Sequence, residues 1–267
     1  MKPVTSGERL YLLIRDEVLD LTGEGAVRWK NIGVLFEDLS GNISFLAYIK
    51  GAAAIHATRR LLRFWHDERT GVLNESQYVR RVSAFVRQEM FPSIGEELSR
   101  KVARAVIEAE NACDRSIKYS CRAAVLKERK RHACYLCDRT LDPKAQQNDD
   151  GFLTLEHVWP ASMGGDSVEE NLLPACKQCQ HHTQDALSWE WPNIHNLVWP
   201  ANLTEQTLDS IPRKVRYARH YLEALRLASK ERLSLKQAFL RLGPIRTPIS
   251  YVPTGLPLTF FDLRTTD

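Results

Sequence analysis

Two pairs of cysteines are the part of this sequence whose residue types and spacing point most directly to chemistry. Cys134 and Cys137 form the first pair, and Cys176 and Cys179 form the second. A spacer of two residues lets both sulfurs of a pair face one ion, and four thiolates make a closed tetrahedral site for Zn²⁺. The sequence therefore predicts one structural zinc ion bound by these four cysteines.

The segment between the pairs carries groups suited to acid–base chemistry. The 38 residues from Asp138 to Ala175 exceed the spacer of a simple zinc ribbon, so a folded insert is expected. Its candidate reactive groups are Glu156, His157 and Asn171. A neutral histidine can take a proton from water near physiological pH, and a divalent cation can stabilise a leaving oxygen. These residue types are typical of phosphodiester hydrolysis.

The order of these residues resembles the HNH endonuclease family, whose active site is the ββα-metal motif. The family pattern is Cys-x-x-Cys, Asp-His-x-x-Pro, a Gly-Gly turn, Asn-Leu, and Cys-x-x-Cys followed by Asn or His. This chain has the counterparts Cys134-x-x-Cys137, Glu156-His157-Val158-Trp159-Pro160, Gly164-Gly165-Asp166, Asn171-Leu172 and Cys176-x-x-Cys179-Gln180-His181-His182. The resemblance covers about 50 of the 267 residues. It implies nothing about the flanking regions.

The resemblance also implies a role for each residue of the insert. His157 would be the general base, and the Asn171 amide would hold the ring or its loop in one orientation. Glu156 takes the place of the family's metal-binding Asp. The second ligand of the catalytic ion (Mg²⁺, Mn²⁺ or Ni²⁺) is then either Gln180 or His181. Neighbours on a strand point to opposite faces, so a bulge or strand end is expected to bring residues 156 and 157 to one ion.

The activity implied by the resemblance is metal-dependent hydrolysis of DNA, with one strand nicked to leave 5′-phosphate and 3′-hydroxyl ends. The form of residues 155–160 and the helical region before it look like HNH effectors of bacterial antiphage defence, such as the nuclease of type II Zorya systems. Protein partners of a defence system are therefore expected beside DNA. Two alternatives stay open: a catalytically weak, zinc-stabilised nucleic-acid-binding or adaptor module, and an RNA-directed nuclease. Glu156 and Gln180, each longer by one methylene than the family residue, favour the first alternative.

Helices and a short hairpin must position these groups. Apolar residues recur every three or four positions over Ser44–Trp65 and Glu75–Met90, and Ser93-x-x-Glu96 resembles a capping box that opens a helix running toward Leu126. Short strands are predicted at Gly151–His157 and Leu172–Pro174, with a helix between Cys176 and Ser188. The predicted order of elements in the insert is strand, loop, strand and helix.

Positive charge is concentrated near the end of the chain. From Arg213 to Thr247 there are ten Lys and Arg against two Glu, a net charge of +8, so the rest of the chain carries −4. A helix is predicted from about Arg213 to Lys230, and a second over Leu235–Leu242. The predicted DNA contacts lie on one arc of the first helix and are Arg216, Arg219, Arg226 and Lys230.

The expected fold class is mainly α (α+β), in three parts. These are a helical N-terminal domain (1–126), a zinc-stapled ββα-metal HNH core (127–188) and a basic helical C-terminal segment (189–267). Cys113 and Cys121 lie eight residues apart in a helical pattern and are predicted to be buried, unpaired thiols, as in a reducing compartment. The first eight residues contain no apolar leader, and the apolar run at 43–57 is too short to cross a bilayer. A cytoplasmic protein with no membrane association is therefore expected.

Overall fold

The structure is a computed structural model, and it describes residues 1–19, 43–69, 74–112, 116–128, 132–146, 149, 151–183 and 213–245. Within these ranges the side chains of 43–49, 182, 213–216, 218, 219 and 222 are not described. The described residues are mostly helical and contain one two-stranded antiparallel sheet. This confirms the prediction of a mainly α or α+β fold. No helix among them is both long and apolar enough to cross a membrane.

The chain divides into two compact units. The first, here called the helical unit, comprises Thr5–Asp114 and Ala161–Asp166. The second, the hairpin unit, comprises Met1–Val4, Arg115–Pro160 and Ser167–Asp267. The three predicted domains (1–126, 127–188 and 189–267) remain a prediction.

The helical unit contains four described α-helices. They are α1 (Ser6–Leu13), α2 (Ile43–Glu68), α3 (Glu75–Phe85) and α4 (Glu96–Asn111), and single π-helical turns extend α1 over Ile14–Val18 and α3 over Val86–Met90. Capping boxes begin α1 at Thr5 and α3 at Asn74, where each side chain accepts a bond from a backbone N–H of the first turn. The predicted helices at 44–65 and 75–90 are confirmed. Their apolar faces form the core with α4, whose Val102 and Val106 are fully buried.

A short segment from another part of the chain completes the helical unit. Gly164 has φ +79°, and a Cβ placed on it would lie 2.8 Å from Ala109 Cβ and 2.9 Å from Gly7 Cα. The Gly7 amide donates to the Gly164 carbonyl at 2.7 Å, and the Ser6 amide donates to the Asp166 carboxylate at 2.7 Å. Only glycine fits such a backbone conformation at such close approach.

The hairpin unit is built around an antiparallel pair of strands. Its elements are α5 (Tyr119–Lys127), β1 (Leu153–His157), β2 (Leu172–Cys176), α6 (Lys177–Thr183), α7 (Arg213–Glu231) and α8 (Leu235–Leu242). The register pairs Leu153 with Cys176 and His157 with Leu172. The predicted strands and the two C-terminal helices are therefore confirmed. α6 begins directly after Cys176 as predicted, and its predicted extension beyond residue 183 lies outside the described residues.

Buried Lys236 on α8 links three elements of this unit. Its ammonium donates to the Glu128 carboxylate at 2.6 Å and to the Glu169 carbonyl at 2.8 Å. Glu128 is the C-cap of α5, and Glu169 begins the 3₁₀ turn Glu169–Asn171 that leads into β2. This buried charge fixes the turn on which Asn171 lies.

Two predictions were wrong, one about a long helix and one about a buried cysteine. The long helix expected from Ser93 to Leu126 is two helices, α4 and α5. Gly95 is the N-cap of α4 and Glu96 is its first residue, so the Glu is not at the third helical position that a capping box requires. Cys121, on the first turn of α5, is partly exposed rather than buried, and Cys113 lies outside the described residues.

Candidate metal centre and the adjoining hairpin

The four predicted zinc ligands lie together. Their sulfurs are all within 4.8 Å of one another, and Cys137 Sγ lies 3.8 Å from Cys176 Sγ. Zn–S bonds of about 2.3 Å in a tetrahedron give sulfur–sulfur edges of about 3.8 Å. Three of the cysteines are buried and Cys137 is exposed. The donor set and its dimensions fit zinc, so this cluster could hold a zinc ion.

Local backbone geometry explains how the two pairs reach one point. In the first pair, the Cys134 amide donates to the Arg139 carbonyl and the Asp138 amide donates to the Cys134 carbonyl, both at 2.9 Å. Asp138 has φ +58°, which tightens this turn. In the second pair, Cys176 ends β2 and Cys179 lies in the first turn of α6. The Cys179 amide donates to Cys176 Sγ at 3.4 Å.

The thiols also share their protons unevenly. Hydrogen bonds with Cys134 lower the pKa of Cys137 to about 6 and also lower the pKa of Cys176. Hydrogen bonds within the cluster raise the pKa values of Cys134 and Cys179. Two thiols of the cluster therefore lose their protons more readily than a free cysteine, which favours a bound cation, and binding of Zn²⁺ would release the remaining protons.

Glu156 and His157 point to opposite faces of β1. The ladder is regular here, pairing Glu156 with Leu173 and His157 with Leu172, so no bulge brings the two side chains to one face. His157 is the last residue of the strand. The expected bulge is therefore absent, and the expectation that the strand end brings residues 156 and 157 to one ion stays a prediction.

The two side chains have different surroundings. Glu156 is buried, and its Oε1 accepts a hydrogen bond from Thr183 Oγ1 of α6 at 3.2 Å. His157 is partly exposed, and its Nε2 lies 2.9 Å from Ser167 Oγ. The carboxylate thus faces α6, whereas the imidazole faces the loop that connects β1 to β2.

Asn171 holds the backbone that follows His157. Its Oδ1 accepts from the Trp159 amide at 2.7 Å, and its Nδ2 donates to the Trp159 carbonyl at 3.0 Å. The Val158 amide donates to the Asn171 carbonyl at 2.8 Å. Of the two roles considered for the amide, holding the ring or holding the loop, these contacts correspond to holding the loop.

The residues predicted to bind the catalytic cation, Glu156 with Gln180 or His181, do not form a cluster like that of the four cysteines. Gln180 is partly exposed and donates weakly from Nε2 to the Leu155 carbonyl at 3.5 Å, and His181 is exposed. In the described part of the chain, the four cysteines are the one group of three or more His, Cys, Asp or Glu side chains that could hold a metal. Glu156 with either Gln180 or His181 would supply only two protein ligands. That number suits Mg²⁺, which usually keeps several waters.

The predicted DNA contacts lie on α7. Arg226 and Lys230 are exposed and one helical turn apart. Arg216 and Arg219 belong to the same helix, but their side chains lie outside the described residues.

Sequence patterns missed three residues near these sites. Ser167 contacts His157, Thr183 contacts Glu156, and the Tyr217 hydroxyl lies 3.0 Å from Cys179 Sγ. Thr183 follows Cys179 by four residues, so helical spacing could have indicated its position. Ser167 and Tyr217 are single residues with no pattern that would identify them.

Comparisons of the chain with protein-family models, with curated proteins and with solved structures give no match.

Proposed function

We propose that this protein is a metal-dependent HNH endonuclease that hydrolyses DNA phosphodiester bonds. The observation that carries the proposal is the ordered motif from Cys134 to Cys179. Its candidate reactive residues lie at the end of β1, on the turn before β2 and on α6, next to a cysteine cluster suited to zinc. Asn171, clamped to the backbone of Trp159, supports the same proposal because it holds the loop after the candidate base.

In the proposed reaction His157 is the general base. Its ring takes a proton from water, the water oxygen bonds to phosphorus, the bond from phosphorus to the 3′ oxygen breaks, and the 3′ oxygen takes a proton from solvent. The products carry a 5′-phosphate and a 3′-hydroxyl. A divalent cation held by Glu156 and by Gln180 or His181 would neutralise charge on the leaving oxygen. One such site per chain cuts one strand, so nicking is the expected outcome, and phage DNA is the proposed substrate in antiphage defence.

Cleavage of supercoiled plasmid tests this proposal. Wild-type protein should nick the plasmid with Mg²⁺, Mn²⁺ or Ni²⁺ and should not nick it with EDTA. His157→Ala should lose nicking and keep its zinc, because the histidine is not a zinc ligand. His56→Ala is the matched control, since it removes an exposed histidine of α2 in the helical unit and should leave nicking unchanged. Equal nicking by wild type and His157→Ala would overturn the proposal.

The proposed DNA-binding surface is the basic face of α7. Each phosphate contact releases counterions, so removing one flattens the log–log dependence of duplex affinity on salt by about 0.9. Arg226→Ala/Lys230→Ala should weaken binding to all sequences and lower the slope by up to about 1.8. Arg80→Ala/Arg87→Ala, which removes two exposed cations of the helical unit, is the matched control. Equal losses in both double variants would exclude α7 as the DNA-binding surface.

A second candidate is a zinc-stabilised nucleic-acid-binding module with little or no activity. The observation that favours it is that the predicted metal ligand Glu156 is buried and already accepts a hydrogen bond from Thr183. This candidate predicts binding without cleavage in every metal, and the same affinity for wild type and His157→Ala. Parallel assays on matched DNA and RNA strands separate the proposed nuclease from an RNA-directed one.

A further inference from the structure

One aromatic hydroxyl lies within hydrogen-bond distance of the cysteine cluster. Tyr217 Oη is 3.0 Å from Cys179 Sγ. Both side chains are buried, with 4% of Tyr217 and 1% of Cys179 exposed, so water does not compete for the contact. Tyr217 lies on α7, and the metal ligands lie outside that helix.

Charge decides the direction of this hydrogen bond. A thiolate has no proton to give, whereas a phenol donates O–H. Four thiolates and one Zn²⁺ carry two net negative charges, and burying such charge is costly unless hydrogen-bond donors compensate it. The Cys179 amide points to Cys176 Sγ at 3.4 Å, and Tyr217 points to Cys179 Sγ. Tyr217 is therefore a donor to a buried anionic centre.

A second tyrosine, one turn further along α7, also makes a hydrogen bond through its hydroxyl, but its partner is another hydroxyl and not a sulfur. Tyr221 Oη lies 3.0 Å from Tyr135 Oη, and both rings pack edge-on against Phe239 of α8. Tyr135 directly follows Cys134, and the Leu136 carbonyl accepts from the Ile245 amide at 2.8 Å. α7 thus contacts the second cysteine pair through Tyr217 and the first pair's turn through Tyr221.

We propose that Tyr217 is a positioning residue of the metal centre, which stabilises the metal-bound thiolate of Cys179 and slows the loss of zinc. The stabilising hydroxyl then comes from α7, a helix that supplies no ligand. Outer hydrogen bonds to metal ligands commonly change affinity by about 10- to 100-fold. This inference does not rest on nuclease activity.

Zinc release into a chromogenic chelator tests the proposal on the full-length protein. Tyr217→Phe removes one hydroxyl and keeps the ring, and we expect it to release zinc about tenfold faster than wild type. Tyr221→Phe is the matched control, because it removes a buried hydroxyl from the same helix without touching a cysteine. It should release zinc at the wild-type rate.

Cobalt substitution gives a second readout that does not involve activity. The energy of the thiolate-to-cobalt charge-transfer band should fall in Tyr217→Phe, because the sulfur loses a hydrogen bond. Incorporating 3-fluorotyrosine at position 217 keeps the hydroxyl and makes it a stronger donor. This change should move the band to higher energy and slow zinc release, so the test remains decisive if Tyr217→Phe does not fold.

The outcomes separate an effect of the Tyr217 hydroxyl on zinc release from a general loosening of the protein. Faster release in Tyr217→Phe alone, or opposite band shifts for the phenylalanine and the fluorotyrosine, supports the proposal. Equal acceleration in Tyr217→Phe and Tyr221→Phe, or unchanged release and unchanged bands in both position-217 proteins, overturns it. Failure of plasmid nicking in wild type leaves the result untouched.

Discussion

At the scale of single residues, Ser167 lies within hydrogen-bond distance of the His157 ring, with Oγ 2.9 Å from Nε2. If Nε2 carries the ring proton and donates a hydrogen bond to Ser167 Oγ, the lone pair lies on Nδ1, and this nitrogen would take the proton from water. The hydroxyl can donate or accept, so the contact holds the plane of the imidazole ring in either tautomer. No charge is involved, so the effect is one of orientation.

Ser167→Ala should therefore slow plasmid nicking about tenfold, the equivalent of one hydrogen bond of roughly 1.4 kcal/mol. The loss should appear in kcat and leave DNA affinity unchanged. Ser162→Ala is the control, because Ser162 is an exposed serine of the same connection between β1 and β2. A loss of affinity in place of kcat, or no change, would show that the contact does not position the base.

His220 makes the stability of the hairpin unit depend on pH. Burial lowers its pKa to about 4, from an ordinary value of 6.5. The unfolded chain binds the proton more readily, so stability is fully present above pH 6.5 and is lost as pH falls toward 4. We expect this residue to remove about 2 kcal/mol at pH 5 and about 3 kcal/mol below pH 4. Urea unfolding of wild type and His220→Phe at pH 7 and pH 5 measures the difference. Parallel pH dependence in both proteins would contradict this expectation.

Patterned residues were predictable from the sequence, whereas isolated contacts were not. Two Cys-x-x-Cys pairs predict a metal site because their spacing restricts where the sulfurs can point, and the four sulfurs do lie together. The faces of Glu156 and His157 followed from the two-residue period of a strand. Ser167 and Tyr217 are placed by the tertiary fold, which brings residues 10 and 38 positions apart into contact.

At the scale of elements, Gly164 packs closely against α1 and α4. Gly164→Ala should destabilise the helical unit by about 2 kcal/mol or more, because the new methyl meets Ala109 and Gly7 and φ is positive. Gly51→Ala adds the same methyl within α2, 3.4 Å from the Tyr11 hydroxyl, and improves helix propensity. Thermal unfolding of both variants checks this expectation. Equal melting temperatures for the two variants would refute it.

Helix and strand types were predictable because apolar residues repeat with the period of each element. α8 matches its predicted range, Leu235–Leu242, since a Ser234 capping box and Gly243 mark its ends. The start of α4 was not predictable from Ser93 and Glu96. The residues at 92–95 form a turn instead of a first helical turn. The same sequence is compatible with a helix that begins after Ser93 and with one that begins after Gly95. Local signals identify an element more reliably than they fix its first residue.

At the scale of the whole molecule, zinc should be part of the folding of the hairpin unit. We expect one zinc per chain, and Cys176→Ala or a strong chelator should make residues 115–160 and 167–245 sensitive to protease. Cys121→Ala is the control, since it removes a cysteine outside the cluster and should change neither zinc content nor protection. Full protection of metal-free protein would show that the hairpin unit folds without zinc.

Sequence patterns could not predict which segments belong to each of the two units. This arrangement has a consequence for folding during protein synthesis. The ribosome releases Thr5–Asp114 well before Ala161–Asp166, although all of these residues belong to one unit. Likewise, Lys2 is among the first residues made, but its amide donates to the Leu233 carbonyl at 2.8 Å. Domains generally fold as units during translation, the N-terminal one first. Here neither unit can finish folding in that order, so a nascent chain halted before residue 161 should expose the surface around Gly7 and Ala109 to chaperones.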